Sequence, residues 1–482
     1  MPMTEECGVF GIFTPDPVLR EKLGRVTYYG MYALQHRGQE SAGMVVNRDG
    51  ELFQHRGLGL VSEVFTDGVL DSLSGESAVG HVRYSTAGAA TIANAQPLLA
   101  QSRLGPVAIA HNGNLVNAGI IRELLEDAGV MFHTSSDSEV ILNLVARSTR
   151  YGLERSLLDA MRAIQGSFSL VILTKENLIA VRDPKGIRPL CLGTLGESWV
   201  VASESCALDA VGAQLVRDVE PGEIIIIGSD GPRSIMQHEK TEGRVCSFEY
   251  IYFSRPDSEL EGVSVYASRI AAGKQLYREA PIAADVVSGV PDSGVVAAHG
   301  FSEASGIPYA MTLIKNKYVG RSFIAPTREL REQTVNVKLN VLRSNVRGKR
   351  IILVDDSIVR GTTSRRLVEL LRGAGAAEVH MRIASPPVAF PCYFGMDYPS
   401  RAELAGNRST AEVLSMIGAD SLEYLSLDGL YRSLDEAAGD TLPETAASGE
   451  GGRYCTGCFT GVYPVAAPVE QEKEHLVGGF RG

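Results

Sequence analysis

Cys7 heads an apolar run, Gly-Val-Phe-Gly-Ile, in a chain that holds only seven cysteines. A thiol there can act as a nucleophile, although a lone cysteine before a strand is more often a packed core residue. Position shifts the balance. If residues 1–6 were removed, Cys7 would carry both its thiol and a free α-amino group, and an amine of pKa roughly 8 suits a general base near neutral pH. A second chemical string is Asp355-Asp356-Ser357-Ile358-Val359-Arg360-Gly361-Thr362-Thr363, directly after the apolar run 350–354. Adjacent acids suit a divalent cation or sugar hydroxyls, and a Gly/Thr loop entering a helix offers amides, hydroxyls and a helix dipole to a phosphate. A strand ending in two acids also occurs in receiver domains and magnesium-dependent phosphatases, so the acids alone leave several chemistries open. The third group is cysteine-based: Cys455 and Cys458 form a CxxC, while Cys246 and Cys392 lie far upstream without a strand pattern. Four thiolates suit either Zn²⁺ or a [4Fe–4S] cluster, and spacing does not separate the two. A redox CxxC is disfavoured because the usual strand-to-helix setting is not evident.

The elements that must position these residues fall into two rhythms. Between residues 51 and 227, short β-branched runs such as 166–172 and 223–227 alternate with Gly, Asn and Asp, which predicts mainly strands. Amphipathic stretches at 120–127 and 138–148 predict helices among them. From about Val265 the order becomes helix to 278, strand at 284–289, a helix-like segment, strand at 348–354 and helix at 364–371, the signature of a parallel α/β unit. The boundary is expected in the polar and aromatic connection 242–263. Residues 443–452, rich in small and polar types, read as a linker to a tail. Cys191 and Cys206 lie in apolar surroundings and read as core.

Bulk composition narrows the partners. The chain has 482 residues and a formal net charge of −11, so it lacks the excess cation that neutralises a phosphate backbone, and nucleic acid is not expected. No stretch approaches the roughly 20 apolar residues of a membrane span, and residues 1–6 lack a secretory pattern, so a cytoplasmic chain with no membrane partner is expected. Sparse cysteines in a reducing compartment are then read for catalysis or metal rather than for disulfides.

Five segments carry a specific resemblance: Cys7-Gly8, His36–Gly43 (HRGQESAG), Gly80–Thr86 (GHVRYST), His111–Asn114 (HNGN) and Ser135–Glu139 (SSDSE). Taken singly, they read as a turn, a helix N-cap and a strand with a surface arginine. In this order they resemble the glutaminase domain of N-terminal-nucleophile amidotransferases, an αββα fold. That likeness implies Cys7 as nucleophile, Asn112 and Gly113 as the oxyanion hole, Arg83 on the glutamine α-carboxylate and Asp137 on its α-ammonium. Arg182–Leu190 also matches, as a turn between strands. The string 354–364 is similar to the signature of type I phosphoribosyltransferases. It implies that Asp355 and Asp356 meet ribose hydroxyls and Mg²⁺, and that Ser357, Arg360, Gly361, Thr362 and Thr363 cradle the 5-phosphate. Ser288–Gly294 resembles that family's pyrophosphate loop, with Ser293 a further Mg²⁺ contact. Most charged runs like 315–323 are merely solvated, but this one resembles a loop that closes over the sugar, which implies that Lys317, Tyr318 and Arg321 meet phosphoribosyl pyrophosphate. Phe323 would exclude water, and Lys338 is a further phosphate candidate.

Both halves together resemble the amidophosphoribosyltransferases, and the segments around Cys246 and Cys455 resemble the iron–sulfur type. The resemblance implies residues 7–245 as the glutaminase domain, 246–445 as a phosphoribosyltransferase domain with a mainly parallel sheet, and 446–482 as a cysteine-bearing tail, with 1–6 a propeptide. It further implies a [4Fe–4S] cluster on Cys246, Cys392, Cys455 and Cys458, Mg²⁺, feedback inhibition by purine nucleotides and a homotetramer. Two rivals each explain one half. A glucosamine-type amidotransferase leaves 355–363 without a use, and a sensor of phosphoribosyl pyrophosphate has no need of Cys7 or Arg83.

Overall fold

The structure, a computed structural model, describes residues 7–84, 91–103, 105–147, 152–237, 242–316, 339–396, 401–439 and 452–466. The first unit is built on two antiparallel sheets. One has seven strands, with Gly8–Phe13 in the centre, flanked by Ser77–Arg83 and Ser198–Ala202. The other has six, with Gly105–Leu115 pairing Gly166–Thr174. Gly166–Thr174 is buried along its whole length, which is why residues 170–173 (LVIL) run apolar without alternation. Val9, Val45 and Val79 from one sheet pack on Ala108, Val171 and Ala180 from the other. Helices Leu23–Ala33 and Ser205–Val211 cover the outer face of the first sheet, and Ala118–Asp127, Asp137–Arg147 and Leu153–Ala163 cover the second. The layers therefore run helix, sheet, sheet, helix, as the resemblance implied.

The second unit carries a four-stranded parallel sheet in the order Val286–Gly289, Arg350–Asp355, Glu378–Ile383, Ser421–Tyr424. Helices Val265–Glu279, Gly294–Ser305 and Leu427–Ala438 pack on one face, and Thr362–Gly373 and Thr410–Ile417 on the other. Parallel pairing covered on both faces explains the strongly apolar central strand.

The connection between the units is not loose. Phe248, Glu249, Tyr250, Ile251 and Phe253 are buried, and Glu249–Phe253 forms one turn of π-helix. Contrary to expectation, Cys246 lies in a strand: Val245–Cys246 pairs in parallel with Tyr454–Cys455. The described part of the tail thus joins the core of the second unit, where Tyr454, Cys455 and Cys458 pack with Phe248 and Phe301.

Candidate active site

Cys7 directly precedes the central strand of the first sheet and is 9% exposed. Its Sγ donates to the Tyr84 carbonyl at 3.5 Å. Arg83 ends the adjacent strand, next to Val82, the register partner of Gly8, and is buried. His81, two residues earlier, staples this sheet to the other by donating from Nε2 to the His111 carbonyl at 3.0 Å. A carbonyl only accepts, so this bond places the ring proton on Nε2. Burial drives the His81 pKa down to about 3, so the ring is neutral.

The staple sets Asn112 and Gly113 beside the sheet that Cys7 leads into. Asn112 is fully buried, and neither its amide nitrogen nor its oxygen has a hydrogen-bond partner. Leaving such a group unpaired costs about 1–3 kcal/mol, so the idle Asn112 amide is a group that a ligand can complete. Gly113 has φ 144°, and a Cβ there would meet the Ser167 carbonyl at 2.1 Å. Only glycine lets this strand present its backbone so closely. Asp137 opens the helix Asp137–Arg147. Its Oδ2 accepts from the Leu115 amide at 3.0 Å and its Oδ1 lies 3.5 Å from His111 Nδ1. Burial acts to raise its pKa, but His111 and the amides of Leu115 and Ser138 hold it below the ordinary aspartate value, so the group is a carboxylate. Arg83, one residue before the Tyr84 carbonyl that Cys7 Sγ meets, and the Asp137 carboxylate supply one charge of each sign, as a zwitterion requires.

Beneath the thiol lies a buried charge junction that sequence reasoning missed. Arg37 Nε donates to the Cys7 carbonyl at 3.1 Å, and its other nitrogens bond Glu204 Oε1 at 2.5 Å and both Glu249 oxygens at 2.7 and 2.9 Å. Arg188 Nη1 joins Glu249 at 3.3 Å, and Ser254 Oγ donates to it at 2.6 Å. Burial alone would raise the Glu249 pKa; the two guanidinium groups hold it low. Glu249 begins the π-helical turn, and the next two residues, Tyr250 and Ile251, line a small cleft with Arg269, Ser293 and Asp356. One turn of chain therefore touches both chemical sites, a setting in which π-helices recur. The available signal was a single acid inside the aromatic run 248–253, since a buried carboxylate demands a partner.

At the second site, the strand Arg350–Asp355 delivers two buried carboxylates. Asp356 accepts from Ser357 Oγ at 2.6 Å and, through its other oxygen, from Ser293 Oγ. Burial, and then the charge of Asp356, push the Asp355 pKa well up, so the pair resists carrying both charges without a cation. An all-oxygen set of two carboxylates and a hydroxyl suits Mg²⁺. Gly361, in the left-handed conformation, is the N-cap of the helix Thr362–Gly373, which places Thr362 and Thr363 in its first turn. Arg360 pairs with Glu403 at 3.2 Å. Lys317, Tyr318, Arg321, Phe323 and Lys338 lie outside the described residues.

The four tail-site cysteines come together. Cys246 and Cys455 are register partners, Cys458 follows on the short helix Gly457–Thr460, and its carbonyl accepts from the amides of Ala389 and Phe390, close to Cys392. Burial, and then the proximity of Cys246, Cys392 and Cys455, push the Cys458 thiol well up. Contrary to expectation, the CxxC does run from a strand into a helix, though each is very short. What separates it from a redox motif is the thiol chemistry: burial raises Cys455 to about 12, whereas a reactive CxxC thiol has a lowered pKa. Among the described residues no three His, Cys, Asp or Glu side chains close on a single metal ion. Cys191 and Cys206 are buried in the first unit, as expected. Among the described residues no helix is long and apolar enough to cross a membrane.

Comparison with known proteins agrees with this geometry. The glutamine amidotransferase domain family matches residues 81–210, and the phosphoribosyl transferase domain family matches 266–384. The amidophosphoribosyltransferase of Bacillus subtilis is 48% identical over 464 residues, 96% of this chain and 94% of that protein. A solved structure of the allosteric regulatory enzyme of purine biosynthesis superposes with TM-score 0.89 at 46% identity, covering 96% of this chain and 97% of that one. Another, of the glutamine phosphoribosylpyrophosphate amidotransferase from B. subtilis complexed with ADP and GMP, superposes with TM-score 0.88 at 46% identity over 96% of this chain and 98% of that one.

Proposed function

The chain belongs to the amidophosphoribosyltransferases, making 5-phosphoribosylamine from phosphoribosyl pyrophosphate and glutamine in the first committed step of purine synthesis, and we propose how its residues divide that work. Arg83 pairs with the glutamine α-carboxylate and Asp137 with its α-ammonium. Cys7 Sγ attacks the side-chain amide carbon, and its proton passes through the residue's own α-amino group to the departing nitrogen. The oxyanion accepts from the idle Asn112 amide and the Gly113 N–H, donors of the kind worth roughly 3–4 kcal/mol each in the transition state. Water then releases glutamate from the thioester.

Ammonia must reach C1 of the sugar unprotonated, so it travels inside the protein. The observation that carries this reading is that the turn Glu249–Phe253 joins the arginine under Cys7 to the cleft of Ser293 and Asp356. Asp355, Asp356 and Ser293 would hold Mg²⁺, which supplies positive charge to the departing pyrophosphate. Ser357, Arg360, Gly361, Thr362 and Thr363 hold the 5-phosphate at the helix N-terminus, with Lys317, Tyr318 and Arg321 on the pyrophosphate side. The grouping of Cys246, Cys392, Cys455 and Cys458 beside one another supports a [4Fe–4S] cluster with a structural or oxygen-sensing role. The related structure with ADP and GMP supports purine nucleotides as feedback inhibitors, and the family likeness supports a homotetramer and a cytoplasmic location. Loss of residues 1–6 supplies the free amine, and N-terminal mass analysis of active protein checks it.

Pyrophosphate release tests the division of labour. Cys7→Ala is expected to abolish release driven by glutamine while ammonium still drives it. Loss of both activities would contradict two separable sites.

A further inference from the structure

The loop that carries Cys392 also reaches the glutaminase site, through bonds from one unit to the other. The Tyr393 carbonyl accepts from Asn114 Nδ2 at 2.9 Å. The Phe394 carbonyl accepts from Ser167 Oγ at 2.7 Å and from Arg188 Nε at 2.8 Å, with a further bond from Arg188 Nη2. Gly395 has φ 116°, and a Cβ there would lie 3.1 Å from Arg188 Nη2 and 3.5 Å from the carbonyl carbon of Gly113. Asn114 and Ser167 are register partners on the strands Gly105–Leu115 and Gly166–Thr174, so the loop clamps both strands beside Asn112 and Gly113. Its other side is tied to the cysteine site. The Phe394 amide donates to Cys392 Sγ at 3.3 Å, the Ala389 and Phe390 amides donate to the Cys458 carbonyl, and Tyr463 Oη donates to the Pro391 carbonyl at 2.6 Å.

We propose that Tyr393–Gly395 is a positioning segment for the oxyanion strand, so that the state of the four-cysteine site is felt at Asn112 and Gly113. The segment touches no substrate; it acts by fixing where the strand presents its donors. The proposal rests on reading Asn112 and Gly113 as the oxyanion hole. A donor displaced by a fraction of an ångström still binds glutamine but meets the tetrahedral adduct badly, so the effect falls on turnover rather than on substrate affinity.

The test removes the clamp's donors one at a time, with Asn114→Ala and Ser167→Ala, and keeps the hydroxyl in Ser167→Thr. In both alanine variants glutamine-driven kcat is expected to fall about 10- to 100-fold, while KM for glutamine shifts less than about threefold. Ammonium-driven synthesis stays unchanged, and Ser167→Thr recovers most of the loss. A glutamine aldehyde, whose adduct with Cys7 mimics the tetrahedral intermediate, weakens by the same factor as kcat/KM. Hydrogen exchange supplies a readout apart from activity: amides 112–116 are expected to exchange faster in Cys392→Ser and in chelator-treated protein. Normal kcat and aldehyde binding in both alanine variants, or a parallel fall of ammonium-driven synthesis, would overturn the clamp. Unchanged exchange would overturn its link to the cysteines. Full glutamine turnover in Asn112→Ala would instead overturn the oxyanion reading beneath it, which separates the two failures.

Discussion

Asn112 is the residue whose environment says most about the chemistry, because both polar atoms of its fully buried amide are left for a ligand to complete. Asn112→Ala is expected to lower glutamine-driven kcat by about 10²–10³ with little change in ammonium-driven synthesis; steady-state assays with each nitrogen source check it. His81 gives a pH expectation. Its folded pKa of about 3 lies below the unfolded value, so between those pH values the unfolded chain binds the extra proton. Its contribution is therefore present above the unfolded pKa and is lost as pH falls toward 3. Relative to a His81→Asn variant, the parent is expected to lose up to about 1.4 kcal/mol per pH unit in that window, measured by denaturant unfolding across pH. The comparison must be a difference, because burial raises the Asp218 pKa to about 7 and that shift acts with the opposite sign. Cys7, Arg83, Asn112 and Asp137, proposed here to handle glutamine, stand in short motifs that a sequence displays. Arg37, Glu204 and Glu249 were not assigned roles, because charge pairing across more than 160 positions leaves no local pattern.

At the level of elements, periodicity located some amphipathic helices and passed over others, Leu153–Ala163 and Leu427–Ala438 among them. The helix Asp137–Arg147 was evident from its acidic start and apolar stripe. The helix Leu23–Ala33 was not, since Gly24, Thr27 and Gly30 are poor helix formers. Packing overrides propensity there: a Cβ at Gly30 would strike the Phe10 ring, so the glycine lets the helix and the strand Gly8–Phe13 approach. The Cys246 strand escaped notice because two residues paired to a distant tail have no periodicity. The tail pairing carries its own expectation. Protein purified anaerobically is expected to contain iron and acid-labile sulfide in equal amounts, both lost in Cys458→Ser along with thermal stability; zinc without sulfide would contradict the cluster.

Across the whole molecule, the two units meet through two guanidinium groups and two carboxylates buried together, Arg37 and Arg188 with Glu204 and Glu249. Such a junction contributes little net stability when intact, but breaking one partner strands a buried charge, typically at 3–5 kcal/mol. Glu249→Gln is therefore expected to lower the thermal midpoint far more than Glu63→Gln, whose carboxylate only caps an exposed turn. Glu249→Gln should also reduce the share of glutamine nitrogen that reaches the sugar. The central claim is that nitrogen freed at Cys7 reaches the sugar at Asp355 and Asp356 without entering bulk water. It is tested most directly by supplying amide-labelled glutamine in unlabelled ammonium that exceeds the nitrogen glutamine releases yet is too dilute to drive synthesis by itself, and reading the isotope in trapped phosphoribosylamine. Product carrying the glutamine label undiluted is expected. Product with the isotope content of the surrounding ammonium would contradict it.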